Sequence, residues 1–187
     1  MALGRWLKLR LYNRRMSDLE RLIRDVPDFP EPGIVFKDIT PLLADADALQ
    51  EALALMADGA HDDGVTKVVG IESRGFILAP SVADHLGAGF VPIRKPGKLP
   101  WKTISRDYEL EFGSDSLELH PDALDEHDRV LVVDDVLATG GTAAATVDLV
   151  RSVGATVVGV VVLLELAFLA GRERLVVPVR AVMTVDG

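Results

Sequence analysis

Apolar positions along the chain come in two patterns. Lys67–Ile71 (KVVGI), Phe90–Ile93 (FVPI), Val130–Val133 (VLVV) and Thr156–Glu165 (TVVGVVVLLE) are nearly continuous apolar runs of strand length, rich in β-branched residues. Between them lie longer amphipathic stretches, at about 48–62, 76–86 and 142–153, whose spacing predicts helices. Strands without polar alternation are buried on both faces. Their alternation with helices predicts an α/β fold: a mostly parallel, twisted sheet flanked by helices. Two further segments, YELEF (108–112) and SLELH (116–120), alternate strictly around a Gly-Ser-Asp turn, which predicts a β-hairpin. Ser17 and Glu20 have the spacing of a capping box and predict a first helix, followed by a Pro-rich loop, PDFPEPG (27–33).

Composition narrows the function classes. A chain of 187 residues suits one domain with a sizeable core. The longest apolar stretch, Val157–Leu164, stops at Glu165, well short of the roughly 20 residues of a membrane span. With no cysteine, disulfides, thiolate metal sites and thiol nucleophiles are excluded. A net charge of −9 argues against binding nucleic acid through phosphate contacts and suits a cytoplasmic protein with no membrane partner. Residues 1–15 (MALGRWLKLRLYNRR) stand apart, with five basic and no acidic residues. They are expected to form a disordered basic tail, with residues 16–187 as a single domain; basic residues interrupt every apolar stretch of the tail, which argues against a secretory signal. His61, His85, His120 and His127 share no metal-ligand spacing and read as structural or surface residues.

The chemistry concentrates in VLVVDDVLATGGTAAATVDLV (130–150). A buried strand ending at Asp134 and Asp135 puts two carboxylates at the carboxyl rim of the sheet, where open α/β folds bind ligands. Ala138, Thr139, Gly140, Gly141 and Thr142 then turn into a helix. The two glycines let the backbone approach a ligand closely, and amides at a helix N-terminus suit an anion. The loop lacks a Walker lysine and the G-x-G-x-x-G spacing, so one phosphate fits better than a triphosphate or dinucleotide. Carboxylates repel phosphate but accept hydrogen bonds from sugar hydroxyls. The pattern therefore reads as a ribose 5-phosphate site.

This string resembles the ribose-phosphate signature of the type I phosphoribosyltransferases. Five further blocks, PDFPEPGIVFKDITPLL (27–43), GIESRGFILAP (70–80), RKPGKLPWKT (94–103), YELEFGSDSLELH (108–120) and LLELAFLAGRERL (163–175), resemble the adenine-specific branch of that family in order and spacing. The resemblance covers roughly residues 17 to 182. It implies the type I fold with a small N-terminal hood and a flexible β-hairpin lid. It also implies transfer of the phosphoribosyl group from 5-phospho-α-D-ribosyl 1-diphosphate to adenine, giving AMP and diphosphate, by a homodimer. Magnesium would arrive with the donor, held mainly by donor oxygens and water rather than by protein ligands. By the same resemblance, Phe36 stacks on adenine while the backbone of Val35 and Lys37 reads the base edge. Ser73 and Arg74 bind diphosphate, behind a peptide bond, Glu72–Ser73, that is commonly cis. Arg94, Lys95 and Lys98 add positive charge to the leaving group, and Glu111 sits over the base near N7. Two alternatives stay open at this point: transfer to a 6-oxopurine such as hypoxanthine, guanine or xanthine, and a non-catalytic regulator that senses the donor.

Alternation in YELEF places Glu109 and Glu111 on one face, yet only Glu111 matches the family's acid. Relatives usually carry Tyr where this chain has Phe112. Glu111→Gln is expected to lower kcat by at least about tenfold, conservatively below the usual general acid–base contribution, whereas Glu109→Gln does little. Steady-state kinetics on both variants check this. Equal, mild losses would return Glu111 to the solvated face.

Overall fold

A computed structural model describes residues 18–109 and 114–186. Contacts divide the chain into two compact units, one up to Leu53 and one from Ala54.

In the first unit, residues 18–20 are helical, and Leu19 is buried. Ser17, the expected cap, lies outside the described residues. A two-stranded antiparallel ribbon follows, β1 (Arg24–Pro27) with β2 (Val35–Asp38), where Val26 stands opposite Phe36. The Pro-rich loop expected at 27–33 joins these two strands, with Pro27 the last residue of β1. Each strand has only four residues, and RDVP carries no apolar alternation, so pairing rather than propensity makes it a strand. Helix α1 (Thr40–Ala44) is a single turn with Pro41 at its start. Helix α2 (Ala46–Asp58) runs from the first unit into the second; the helix predicted over 48–62 ends instead at Asp58, and a 3-10 turn of the second unit, His61–Asp63, follows, closed by Gly64 in the left-handed region.

The second unit is built on a five-stranded, all-parallel sheet. Its strands are β3 (Lys67–Ile71), β4 (Gly89–Ile93), β7 (Arg129–Leu137), β8 (Thr156–Leu166) and β9 (Val179–Val185), in the order β4-β3-β7-β8-β9. Helix α3 (Gly75–Leu86) carries the chain from β3 outward to β4, and α4 (Gly141–Ser152) carries it from β7 outward to β8. These two crossovers run in opposite directions. Since β-α-β crossovers are right-handed, the helices cover opposite faces, and the order reverses between β3 and β7. Gly70 marks the α3 face, since a Cβ there would meet Ala79 of that helix and Phe90. The opposite face packs Val69, Ile71, Val130, Val132, Val160 and Val162 with Leu149 and Val150 of α4 and with Leu117 and Leu119. The two leucines belong to the predicted hairpin, β5 (Ile104–Glu109) and β6 (Ser114–Leu119), which is present and antiparallel.

The mostly parallel α/β class holds, with two corrections. Strand β7 continues through Asp134 and Asp135 to Leu137 rather than stopping before them, because β8 extends far enough to pair with it: Asp134 is opposite Val162 and Leu137 opposite Glu165. The edge strand β9 was missed. VRAVMTV is interrupted by Arg180, and only its ladder with β8 defines it.

Leu131, in the middle of the central strand, is fully buried. Leu131→Ala is expected to cost about 2–5 kcal/mol, or roughly 2–4 °C of Tm for each kcal/mol in a chain of this size. Thermal denaturation checks this.

Candidate active site

The carboxyl ends of β3 and β7, the two strands at which the order reverses, border a cavity of about 260 Å³. That volume is near the lower end for ligand sites and suits a phosphosugar better than a dinucleotide. One wall is the β3–α3 loop with Glu72, Ser73 and Arg74; the other is the continuous segment from Asp134 to Ala143. Lys95, Tyr108 and Val162 complete the lining among the described residues.

The acid pair is the electrostatic centre. Asp135 is only 2 % exposed, and its Oδ2 lies 2.8 Å from Arg74 Nε, an ion contact without hydrogen-bond geometry, so this buried oxygen has no hydrogen-bond donor among the described residues. Asp134 Oδ1 accepts a hydrogen bond from the Asp135 amide at 2.9 Å. Burial pushes the Asp134 carboxyl well above the ordinary carboxylate range, and the neighbouring charge of Asp135 pushes it further. Burial also raises Asp135, with Arg74 pulling the other way. The pair thus sets carboxylate oxygens at the rim of the cavity, held by Arg74 and by the Asp135 amide.

Beyond the acids, Gly140 has φ 81°, a left-handed value that a side chain would strain, and caps α4 with no side-chain hydrogen bond. Amides at the start of this 12-residue helix are thus left to an anion, with Thr139 and Thr142 half-buried beside them. Helix α3 likewise starts at Arg74 without a side-chain cap, directly after Ser73. The Glu72–Ser73 peptide bond is cis.

The structure gives the basic segment a different setting from a free cluster of cations. Glu72 accepts hydrogen bonds from Arg94 Nε at 3.0 Å, from a second Arg94 nitrogen at 3.3 Å and from the Lys95 amide at 3.0 Å. The Arg94 bond is the main reason the Glu72 carboxyl lies below its usual range. Arg94 also donates to the Lys98 carbonyl at 3.0 Å. Neither Arg94 nor Lys98 lines the cavity, whereas Lys95 does; its ammonium is paired with Asp115 and lies 3.1 Å from the Tyr108 hydroxyl. Sequence reasoning missed Tyr108 and Asp115, because alternation assigned Tyr108 to the apolar face of the hairpin. Glu111 and Phe112 lie outside the described residues.

In the first unit, Val35 is 49 % exposed, and the Phe36 ring meets Phe29 edge-on at 5.2 Å. Lys37 Nζ pairs with Asp25 at 2.6 Å. His85 donates from Nδ1 to the Ser81 carbonyl at 2.8 Å, and His61 and His127 are exposed.

Comparison with known proteins shows the family of the chain. The model of the phosphoribosyl transferase domain matches residues 41–184. The adenine phosphoribosyltransferase of Solidesulfovibrio magneticus is 54 % identical over 158 residues, covering 84 % of this chain and 92 % of that protein. The chain belongs to the adenine phosphoribosyltransferase family. Among solved structures of the family, that from Rhodothermus marinus matches with a TM-score of 0.89 at 52 % identity, covering 92 % of this chain and 99 % of the other. The Saccharomyces cerevisiae enzyme, solved with adenine and an imino-altritol bisphosphate, matches with a TM-score of 0.87 at 36 % identity, covering 91 % and 99 %.

The raised Asp134 carboxyl has a consequence for stability. The folded state holds this proton more tightly than the unfolded chain does. The stabilisation it gives is complete below the unfolded value of about 4 and is lost as pH rises through the folded value. Asp134→Asn removes the ionisable carboxyl at nearly constant shape. It is expected to melt higher than wild type at pH 7, with a flatter dependence of Tm on pH above about 4, and to raise the KM for the phosphoribosyl donor by about tenfold. Melting curves across this range, with donor kinetics at pH 7, check both effects. A lower Tm than wild type at pH 7 would contradict the assigned burial cost.

Proposed function

We propose that the chain transfers a phosphoribosyl group from 5-phospho-α-D-ribosyl 1-diphosphate to adenine, forming AMP and diphosphate in purine salvage. The observation that carries this reading is the cavity at the strand-order reversal, where the Asp134–Asp135 pair, a helix N-terminus without a side-chain cap and Arg74 meet. The amides of Ala138–Thr142 take the 5-phosphate. Asp134 and Asp135 accept hydrogen bonds from the ribose hydroxyls, which supply the donors that Asp135 Oδ2 lacks. Ser73, Arg74 and Lys95 receive the diphosphate, and Arg94 and Lys98 shape the segment that carries Lys95.

The C1–O bond to diphosphate breaks as its electron pair leaves with the diphosphate, and ribose gains oxocarbenium character. N9 of adenine forms the new bond to C1 from the opposite face and inverts it. The N9 proton is lost, and Glu111 is the group assigned to share protons with the base. Phe36 stacks on adenine, and the Val35 and Lys37 backbone reads the 6-amino group; adenine bound to the yeast relative supports this acceptor. Rate enhancement comes from alignment and from neutralising the leaving group.

Asp134 and Asp135, carboxylates that line the cavity, would face a hydrated magnesium brought by the donor, with donor oxygens and water as its main ligands. When bound, the metal would screen charge on the diphosphate. Homodimeric assembly and a cytoplasmic setting belong to the same reading.

A diphosphate-release assay with donor and magnesium, offering adenine, hypoxanthine, guanine and xanthine in turn, tests the proposal. Release is expected with adenine, at a kcat/KM roughly 10⁴ or more above any 6-oxopurine, because a backbone acceptor facing a 6-oxo group is left unpaired. Comparable turnover of a 6-oxopurine would reassign the acceptor. No release with any base would favour a donor-sensing regulator.

A further inference from the structure

The block LLELAFLAGRERL has no part in the chemistry above, yet it presses on the phosphate cradle from behind. After β8 the chain makes two 3-10 turns, Ala167–Leu169 and Gly171–Arg174. They join at Ala170, whose φ of 52° is rare for a residue with a side chain. Gly171 is buried, and neither it nor Arg172 lines the cavity.

A methyl group on Gly171 would collide with the Ala138 carbonyl oxygen and lie 2.8 Å from the Gly140 amide nitrogen and 2.9 Å from the Thr139 carbonyl carbon. Conversely, a methyl on Gly140 would strike the Gly171 carbonyl oxygen. Two backbones thus touch with no side chain between them. Gly140 also needs a positive φ, but Gly171 does not. Close approach to the cradle is therefore what excludes a side chain at position 171.

The turn is tied down from the other side. Glu165, at the end of β8, is only 5 % exposed. Arg172 donates from Nε to Glu165 Oε1 at 2.9 Å and pairs a second nitrogen with Oε2. Its third nitrogen donates to the carbonyl of Val179, the first residue of β9, at 2.5 Å. One guanidinium thus ties the turn to two sheet strands, a fork geometry that lysine cannot reproduce.

We propose that Gly171 and the Glu165–Arg172 pair form a positioning element for the donor. The pair fixes the turn to the sheet, and Gly171 sets the backbone of Ala138–Gly140 so that its amides face the 5-phosphate. This rests on the reading of Ala138–Thr142 as the donor's phosphate cradle. None of the three residues touches substrate; they act on donor affinity through the cradle's shape.

Gly171→Ala and Arg172→Lys in the full chain test this. Donor and adenine are each varied in steady-state kinetics, and ribose 5-phosphate binding is measured by calorimetry. Gly171→Ala is expected to raise the donor KM about tenfold and weaken ribose 5-phosphate by a similar factor. The adenine KM, and kcat at saturating donor, should stay within about twofold of wild type. Arg172→Lys should shift the same two quantities by a smaller factor, and it carries the test alone if Gly171→Ala shows no cooperative melt. A general loss of folded protein would instead lower kcat and leave both KM values in place, and that pattern overturns the proposal. Unchanged ribose 5-phosphate binding in Gly171→Ala, beside tight binding by wild type, also overturns it. A wild-type chain that does not bind ribose 5-phosphate would remove the cradle reading, and this inference with it.

Discussion

Two adjacent carboxylates, Asp135 almost out of water and Asp134 half-buried beside it, impose the constraint around which the second unit is organised. Burial pushes both the Asp134 and Asp135 carboxyls up, and the charge of Asp135 pushes Asp134 further. Backbone amides of the strand that carries them relieve this in part. Further relief comes from Arg74, contributed by the next strand's loop, and from whatever hydroxyls enter the cavity. A group that costs stability until a ligand arrives is a common mark of a functional site.

Placing Arg74 beside Asp135 requires β3 and β7 to be neighbours, with their helices leaving in opposite directions. The reversal opens a crevice at the carboxyl ends, and both helices present uncapped N-termini after the loops that line it. Glycine at 75 belongs to the same arrangement, since a Cβ there would lie 3.0 Å from both Asp134 Oδ1 and the Val133 carbonyl oxygen. Topology, charge and close backbone approach thus depend on one another in a small volume.

Much of this was legible in the chain. KVVGI coincides with β3, and the helices after both loops begin within one residue of expectation, because long apolar runs and strong periodicity leave little choice. The site loop was legible for the same reason: D-D followed by A-T-G-G-T makes little sense except at a ligand rim. The short ribbon β1–β2, the edge strand β9 and the extension of β7 past its acids were not legible. Each depends on a partner strand supplying hydrogen bonds, and single-strand patterns carry no record of the partner.

The sequence by itself determined the α/β class, the residue types at the phosphate loop and the family to which they belong, since these follow from local pattern and motif. Tertiary structure decided which charges meet. Arg94, Lys95 and Lys98 read as one basic cluster in sequence, but in the fold Glu72 takes Arg94, and Asp115 takes Lys95. Likewise Glu165 and Arg172 become a clamp only when β8 and the turn after it have been laid against β9. Charge pairing depends on distances of a few ångströms between residues remote along the chain, and only the packed fold sets those distances.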